Sequence, residues 1–212
     1  GVLDGLYGIS NENIFDSYMV VRQLKKDNDG NIWAITPYSE RFNHIASVQN
    51  YNNSEKWMHI FSEDLGSYLP TEITFDKYNR GWIAFENNTI EYPEGGGIKA
   101  FYHNDYIYSS SIQDSSNVVW LDLVNLEDLP NGVNTTIWSL DIGNLDSQEI
   151  LWVLSPQGAQ GYILNSSELI EIYPSVYYSN LAFQKGDKIR VDSQDNAWIS
   201  TRHSGVRIIK NN

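Results

Sequence analysis

Asp27, Asp29 and Asn31 alternate through the segment KKDNDGNIWAIT, and oxygens at that spacing are how a calcium loop begins. Such a loop also needs glycine at its sixth position, a bidentate glutamate at its twelfth and helical flanks. Counted from Asp27, those positions hold Ile32 and Tyr38, and the flanking residues read as strand. The metal reading fails on three counts, and no metal or cofactor is expected. Catalytic motifs are missing as well: there is no glycine-rich phosphate loop, no G-x-S-x-G and no H-E-x-x-H. His44, His59, His103 and His203 fall far apart, and without cysteine there is neither a thiol nucleophile nor a thiolate zinc site. No catalytic residue is assigned, although a fold that gathers acids from distant segments could still host an enzyme.

A turn explains the acidic segment better. Aspartate at a strand end accepts the backbone N–H groups of the residues after it, and Gly30 supplies left-handed backbone at the tip. The segment recurs as DNDGNIWAIT, DKYNRGWIAF, DSQEILWVLS and DSQDNAWIST. Each copy puts aspartate six residues before tryptophan, giving the pairs Asp27/Trp33, Asp76/Trp82, Asp146/Trp152 and Asp192/Trp198. The residues between vary, whereas a metal site would keep its middle oxygens. In the second copy Asn79 takes the place of Gly30, and in the third Asp141 competes with Asp146 for the aspartate role. Each tryptophan is expected on the outgoing strand, its ring pressed on the neighbouring sheet. Asp114 and Trp120 fit the spacing too and would make a fifth unit, but Trp57 and Trp120 read better as outer-strand tryptophans ahead of the next copy.

The elements around these pairs are short period-2 runs such as YMVVRQL, TTIWSLDI, ILWVLS and GVRII, separated by Gly, Asn, Asp, Ser or Pro. Only SSELIEIY passes for a helical turn, and it reads equally as strand. The expected fold is all-β: a β-propeller of about four blades of four-stranded antiparallel sheet, anchored on the four tryptophans and treated as one domain over residues 1–212 or as part of a larger propeller.

Composition narrows the partners. A formal charge of −13 disfavours nucleic acid and anionic membrane surfaces. No apolar run is long enough to insert in a membrane. Aromatics at 13% suit half-buried pleated sheets.

The pattern Asp-x-x-Gly-Asn-Ile-Trp-Ala-Ile-Thr, followed by an outer-strand Trp and then the next aspartate unit, resembles the two-component regulator propeller repeat. DSQDNAWISTRHSGVRII is similar, with Gly205 before an apolar strand, while the second and third copies are degraded. Asp-box hairpins of sialidase-like propellers share the Asp-x-Gly-x-x-Trp core and stay as the alternative. The resemblance implies a bacterial extracytoplasmic propeller, periplasmic or secreted to the cell surface, found in sensor kinases and surface proteins. Family members usually carry more repeats than four, so further blades or domains of a parent chain are expected partners, with a slice of a longer protein slightly favoured over closure by the N-terminal segment.

In a propeller, the loops after second strands and those entering first strands share one face. Tyr38, Arg41, Tyr68, Tyr177, Arg202 and His203 are the candidate partner-binding residues there, since aromatics and arginine make good anchors. Three functions follow. The first is a non-enzymatic module that binds protein or carbohydrate, or acts as a scaffold. The others are the periplasmic sensor portion of a hybrid two-component histidine kinase and a glycan-cleaving enzyme of the Asp-box kind.

Overall fold

The computed structural model describes residues 21–36, 44–49, 57–61, 69–87, 96–103, 118–120, 136–156, 158–164, 169–171 and 183–210. All regular structure among them is β. Sheet 1 contains β1 (Gln23–Lys26), β2 (Ile32–Ile35), β3 (His44–Gln49) and β4 (Trp57–Phe61). Sheet 2 contains β5 (Pro70–Phe75), β6 (Arg80–Phe85), β7 (Gly97–His103) and β8 (Val118–Trp120). In sheet 3 are β9 (Ser139–Leu145), β10 (Gln148–Ser155), β11 (Gly158–Leu164) and β12 (Leu169–Glu171). Sheet 4 has β13 (Lys188–Val191), β14 (Ala197–Thr201) and β15 (Gly205–Ile209). Every sheet is an antiparallel meander in chain order, which short hairpin connections favour. Trp57 and Trp120 lie on the fourth strands of sheets 1 and 2, and the ambiguous SSELIEIY contributes the strand β12.

The aspartate turns form as the sequence dictates in three sheets. Asp27 accepts the backbone N–H of Asp29 at 3.0 Å and of Asn31 at 2.8 Å, and the indole Nε1–H of Trp33 at 2.9 Å. Asp76 repeats this with Tyr78, Arg80 and Trp82, and Asp192 with Gln194, Asn196 and Trp198. The residue three places after each aspartate has positive φ: Gly30 at 92°, Asn79 at 59° and Asp195 at 61°. Glycine and short Asx side chains tolerate that conformation best.

The third copy is a correction. Asp146 and Ser147 form a two-residue hairpin tip, with φ of 50° and 67°, and β9 pairs with β10 up to Leu145 opposite Gln148. Positive φ at both central residues matches the right-handed twist of the strands and closes the hairpin tightly. The strands therefore run further before turning, and Asp146 ends six strand residues from Trp152 with no bond to it. Asp141 does not take the role either, although it lies opposite Trp152 in register. The Trp152 indole N–H is buried without a hydrogen-bond partner among the described residues.

Sheets 1, 2 and 3 each present their tryptophan face to the next sheet. Trp33 meets Phe75 and Phe101 of sheet 2, both ring centroids at 5.3 Å. Gly81 makes room between those rings, since a Cβ there would stand 2.3 Å from Phe101. Trp82, Ala84, Ile98 and Ala100 pack on Leu140, Leu151, Val153 and Tyr162 of sheet 3. Trp152 and Leu154 pack on Ile189, Ala197 and Ile199 of sheet 4. Full burial of such an indole stabilises by roughly 3 kcal/mol.

Candidate functional site

The first strands alternate apolar and polar residues. Ile73, Leu140 and Ile189, which precede the residue opposite tryptophan, are buried against the preceding sheet. The polar positions either side form two equivalent tiers: Gln23, Glu72, Ser139 and Lys188, then Lys25, Thr74, Asp141 and Arg190.

The first tier stitches each sheet to the next. Gln23 Oε1 accepts the N–H of Ile73 at 2.6 Å, Glu72 Oε2 that of Leu140 at 3.0 Å, and Ser139 Oγ that of Ile189 at 3.1 Å. These N–H groups lie on the unpaired edge of a first strand, where an unmet buried donor would cost about 1–3 kcal/mol.

Other contacts skip a sheet and show that the first strands converge. Lys25 of sheet 1 donates to Asp141 of sheet 3 at 3.3 Å. From sheet 4, Arg190 donates to both oxygens of Glu72 in sheet 2, at 3.0 and 2.6 Å, and Lys188 pairs with the same carboxylate. The Ser139 hydroxyl donates to Glu72 at 2.6 Å. Burial pushes the Glu72 carboxyl up, but the hydrogen bond and charge of Arg190, then those of Lys188, outweigh it and leave the group below its ordinary value. Asp141 accepts the N–H of Val191 at 3.0 Å as well. These carboxylates serve as ion-pair anchors.

At the entry end of the converging strands, Glu86 pairs with Arg22 at 3.8 Å and Lys185 at 2.9 Å. Beside it, buried Asp187 accepts the N–H of Gln184 at 2.8 Å and that of Arg202 at 3.0 Å, tying loop 184–187 to the turn after β14. The Arg202 guanidinium lies against Gly186, where a Cβ would sit 2.5 Å from Nη2 and where φ is 96°. Arg202 and His203 are exposed on this turn. Of the six sequence-derived binding residues, Arg202 thus lies against the loop that carries Lys185, the partner of Glu86, and His203 follows it on the same turn. Tyr38, Arg41, Tyr68 and Tyr177 lie outside the described residues.

Another buried carboxylate, Glu149, lies at the aspartate-turn end. Glu149 Oε1 accepts the N–H of Lys77 at 2.8 Å, while its Oε2 and Arg80 Nη2 are buried without hydrogen-bond partners among the described residues. Burial, reinforced by the Asp76 charge, holds the Glu149 carboxyl above its ordinary value against the Lys77 hydrogen bond. Among the described residues, no group of three His, Cys, Asp or Glu is arranged to hold a metal.

Sequence reading passed over Glu72, Asp187, Lys185 and Glu149. A signal existed for the first: counting back eight and ten residues from Trp33, Trp82 and Trp198, and three more in the extended third hairpin, lands on both polar tiers.

No family model matches the chain, and no curated protein sequence matches it. Solved structures do. PorZ, a bacterial surface component of the type-IX secretion system of Porphyromonas gingivalis, is similar over 98% of this chain and 28% of its own, with TM-score 0.64 and 16% identity. The extracellular domain assigned to a hybrid two-component system of B. thetaiotaomicron is similar over 91% of this chain and 20% of its own, at TM-score 0.50 and 15% identity. A gluconolactonase of Xanthomonas campestris is similar over 90% of this chain and 59% of its own, at TM-score 0.56 and 10% identity. At these identities the likeness concerns the fold. The chain spans less than a third of the first two proteins.

Proposed function

We propose that the four sheets are successive blades of a β-propeller, extracytoplasmic in a bacterial protein, and that this module binds a partner rather than transforming one. The repeated covering of each tryptophan face by the next sheet supports the propeller, as do the converging first strands. The surface and extracellular proteins that share the fold support the location.

Local charge carries the binding reading. Among the described residues along the converging strands and their entry end, Arg22, Lys25, Lys185, Lys188, Arg190 and Arg202 outnumber Glu72, Glu86, Asp141 and Asp187 by six to four, in a chain of net charge −13. A basic mouth on an acidic protein favours an anionic ligand, either a carboxylate-rich glycan or an acidic stretch of protein. Arg202, His203 and Lys185 are the described part of the face; Tyr38, Arg41, Tyr68 and Tyr177 would complete it. General-base catalysis by Glu72 is less well supported, because such a base works best with its pKa near the operating pH and Glu72 is held the other way.

Calorimetric titration with polygalacturonate, and with uncharged dextran as control, tests this reading. Polygalacturonate should bind, more tightly at low salt, and Arg202→Ala and Lys185→Ala should each weaken it. Equal binding of dextran, or two variants with unchanged affinity, would reject the proposed face.

Fold likeness to a two-component extracellular domain favours a second reading, the sensor portion of a hybrid histidine kinase. A gene continuing into a β-sandwich, a membrane helix and a kinase would support it, and one lacking a kinase would end it. Likeness to a gluconolactonase keeps an enzyme as the third reading, which blank turnover on lactones and glycans would retire.

A further inference from the structure

Sheet 4 repeats the tryptophan face of sheet 2 position by position, yet leaves it bare. Trp198 stands opposite Ile208 as Trp82 stands opposite Ala100, and Ser200 opposite Val206 as Ala84 opposite Ile98. In sheet 2 these four side chains are covered by sheet 3 and are no more than 3% exposed. In sheet 4, Trp198 is 41% exposed, Ile208 40% and Val206 59%. The other end of the series shows the matching half. Ile73, Leu140 and Ile189 each lie buried against a preceding sheet, whereas Leu24, their equivalent in sheet 1, is 60% exposed. The series therefore exposes, at its two ends, the two halves of one interface that it makes three times internally.

We propose that the Trp198 face is the docking face for a further blade of the same repeat, supplied by this polypeptide outside residues 1–212. Its chemistry follows from the internal interfaces. The covering sheet must bring a branched aliphatic residue on its first strand, like Leu140 or Ile189, and an apolar second strand beneath it. A further tryptophan-bearing blade would cover Leu24 at the other end. Continuity assigns the source: each internal tryptophan face is covered by the next sheet of the same chain, and this chain spans only 28% and 20% of two longer proteins of its fold. One part of the pattern does not carry over. Lys188 occupies the place of Gln23, Glu72 and Ser139 but has no acceptor oxygen, so the next blade's edge N–H must be met differently. The inference rests on the propeller reading and not on the identity of any ligand.

Hydroxyl-radical footprinting of the 212-residue chain and of the full-length product of its gene tests the proposal, with buried Trp33 and Trp82 as internal standards. Trp198 should be oxidised readily in the 212-residue chain and lose that labelling in the full-length product. Trp198→Ala should lower the melting temperature of the former less than that of the latter. Persistent labelling in the full-length product overturns the proposal, as does a product without another Asp-x5-Trp unit. A 212-residue chain that sediments as a dimer with Trp198 protected also overturns it, because the occupant is then a second copy. If the full-length product covers Trp198 but polygalacturonate does not bind, only the ligand reading fails.

Discussion

Asp27→Ala and Asp192→Ala remove the same hydrogen bonds from the same turn, in surroundings that differ chiefly in water. Asp27 is 3% exposed, and among the donors it satisfies, the Asn31 N–H and the indole N–H of fully buried Trp33 would be left without it. Each buried donor left unmet costs about 1–3 kcal/mol, so Asp27→Ala should destabilise by roughly 2–6 kcal/mol. At about 2–4 °C per kcal/mol for a chain of this size, that is a clear loss of melting temperature. Asp192 serves Trp198, which is 41% exposed, and water can replace the lost acceptor, so the cost there should be much smaller. Urea unfolding monitored by tryptophan fluorescence measures both as shifts in midpoint at constant slope. Equal costs at the two positions would refute the reasoning, because they would mean that the turn's stability lies in its backbone and not in sealing buried donors.

Three further outcomes can be measured on the same footing. Gly81→Ala should destabilise by about 1–3 kcal/mol through overpacking against Phe101, and Phe101→Leu in the same chain should recover part of the loss. Glu149→Gln should leave stability at neutral pH unchanged or raise it. The wild-type group has a raised folded pKa, so its charge costs stability as pH rises through that value and costs nothing below its ordinary value of 4.5; denaturation across that window reads the difference, and a large loss at pH 7 contradicts it. Glu72 and Asp192 run in the opposite sense: their stabilisation is present above their ordinary carboxylate values and is lost as pH falls through the lowered ones, about 2 for Asp192. Arg190→Ala should remove part of this acid sensitivity and cost about 1.5–3 kcal/mol at neutral pH, and an unchanged acid midpoint would argue against the pairing.

The tryptophan spacing made three of the four turns legible, because the aspartate, the left-handed residue and the indole all lie within seven positions and depend on local bonding. Asn79 at the tip follows from residue type alone. The third unit was misread because DSQEILW keeps the spacing but not the geometry. A two-residue tip and longer strands satisfy the same letters, and only pairing partners distinguish them. The polar tiers were half visible as alternation on the first strands. Their pairing was not, since Arg190 finds Glu72 across 118 residues and past an intervening sheet. Arg202 and His203 fall on the expected turn, whereas the Asp187 brace beneath them depends on a loop that carries no repeat signal.

Gly143 of sheet 3 has Val191 of sheet 4 where its own Cβ would be, at 2.5 Å. That fit is private to one junction: Lys26 and Phe75, the residues preceding the aspartate turn in sheets 1 and 2, are bulkier than Val191 and would not share its notch. The units are therefore numbered as well as repeated. Shuffling them into a new order would meet steric objections that the repeat motif alone does not foretell.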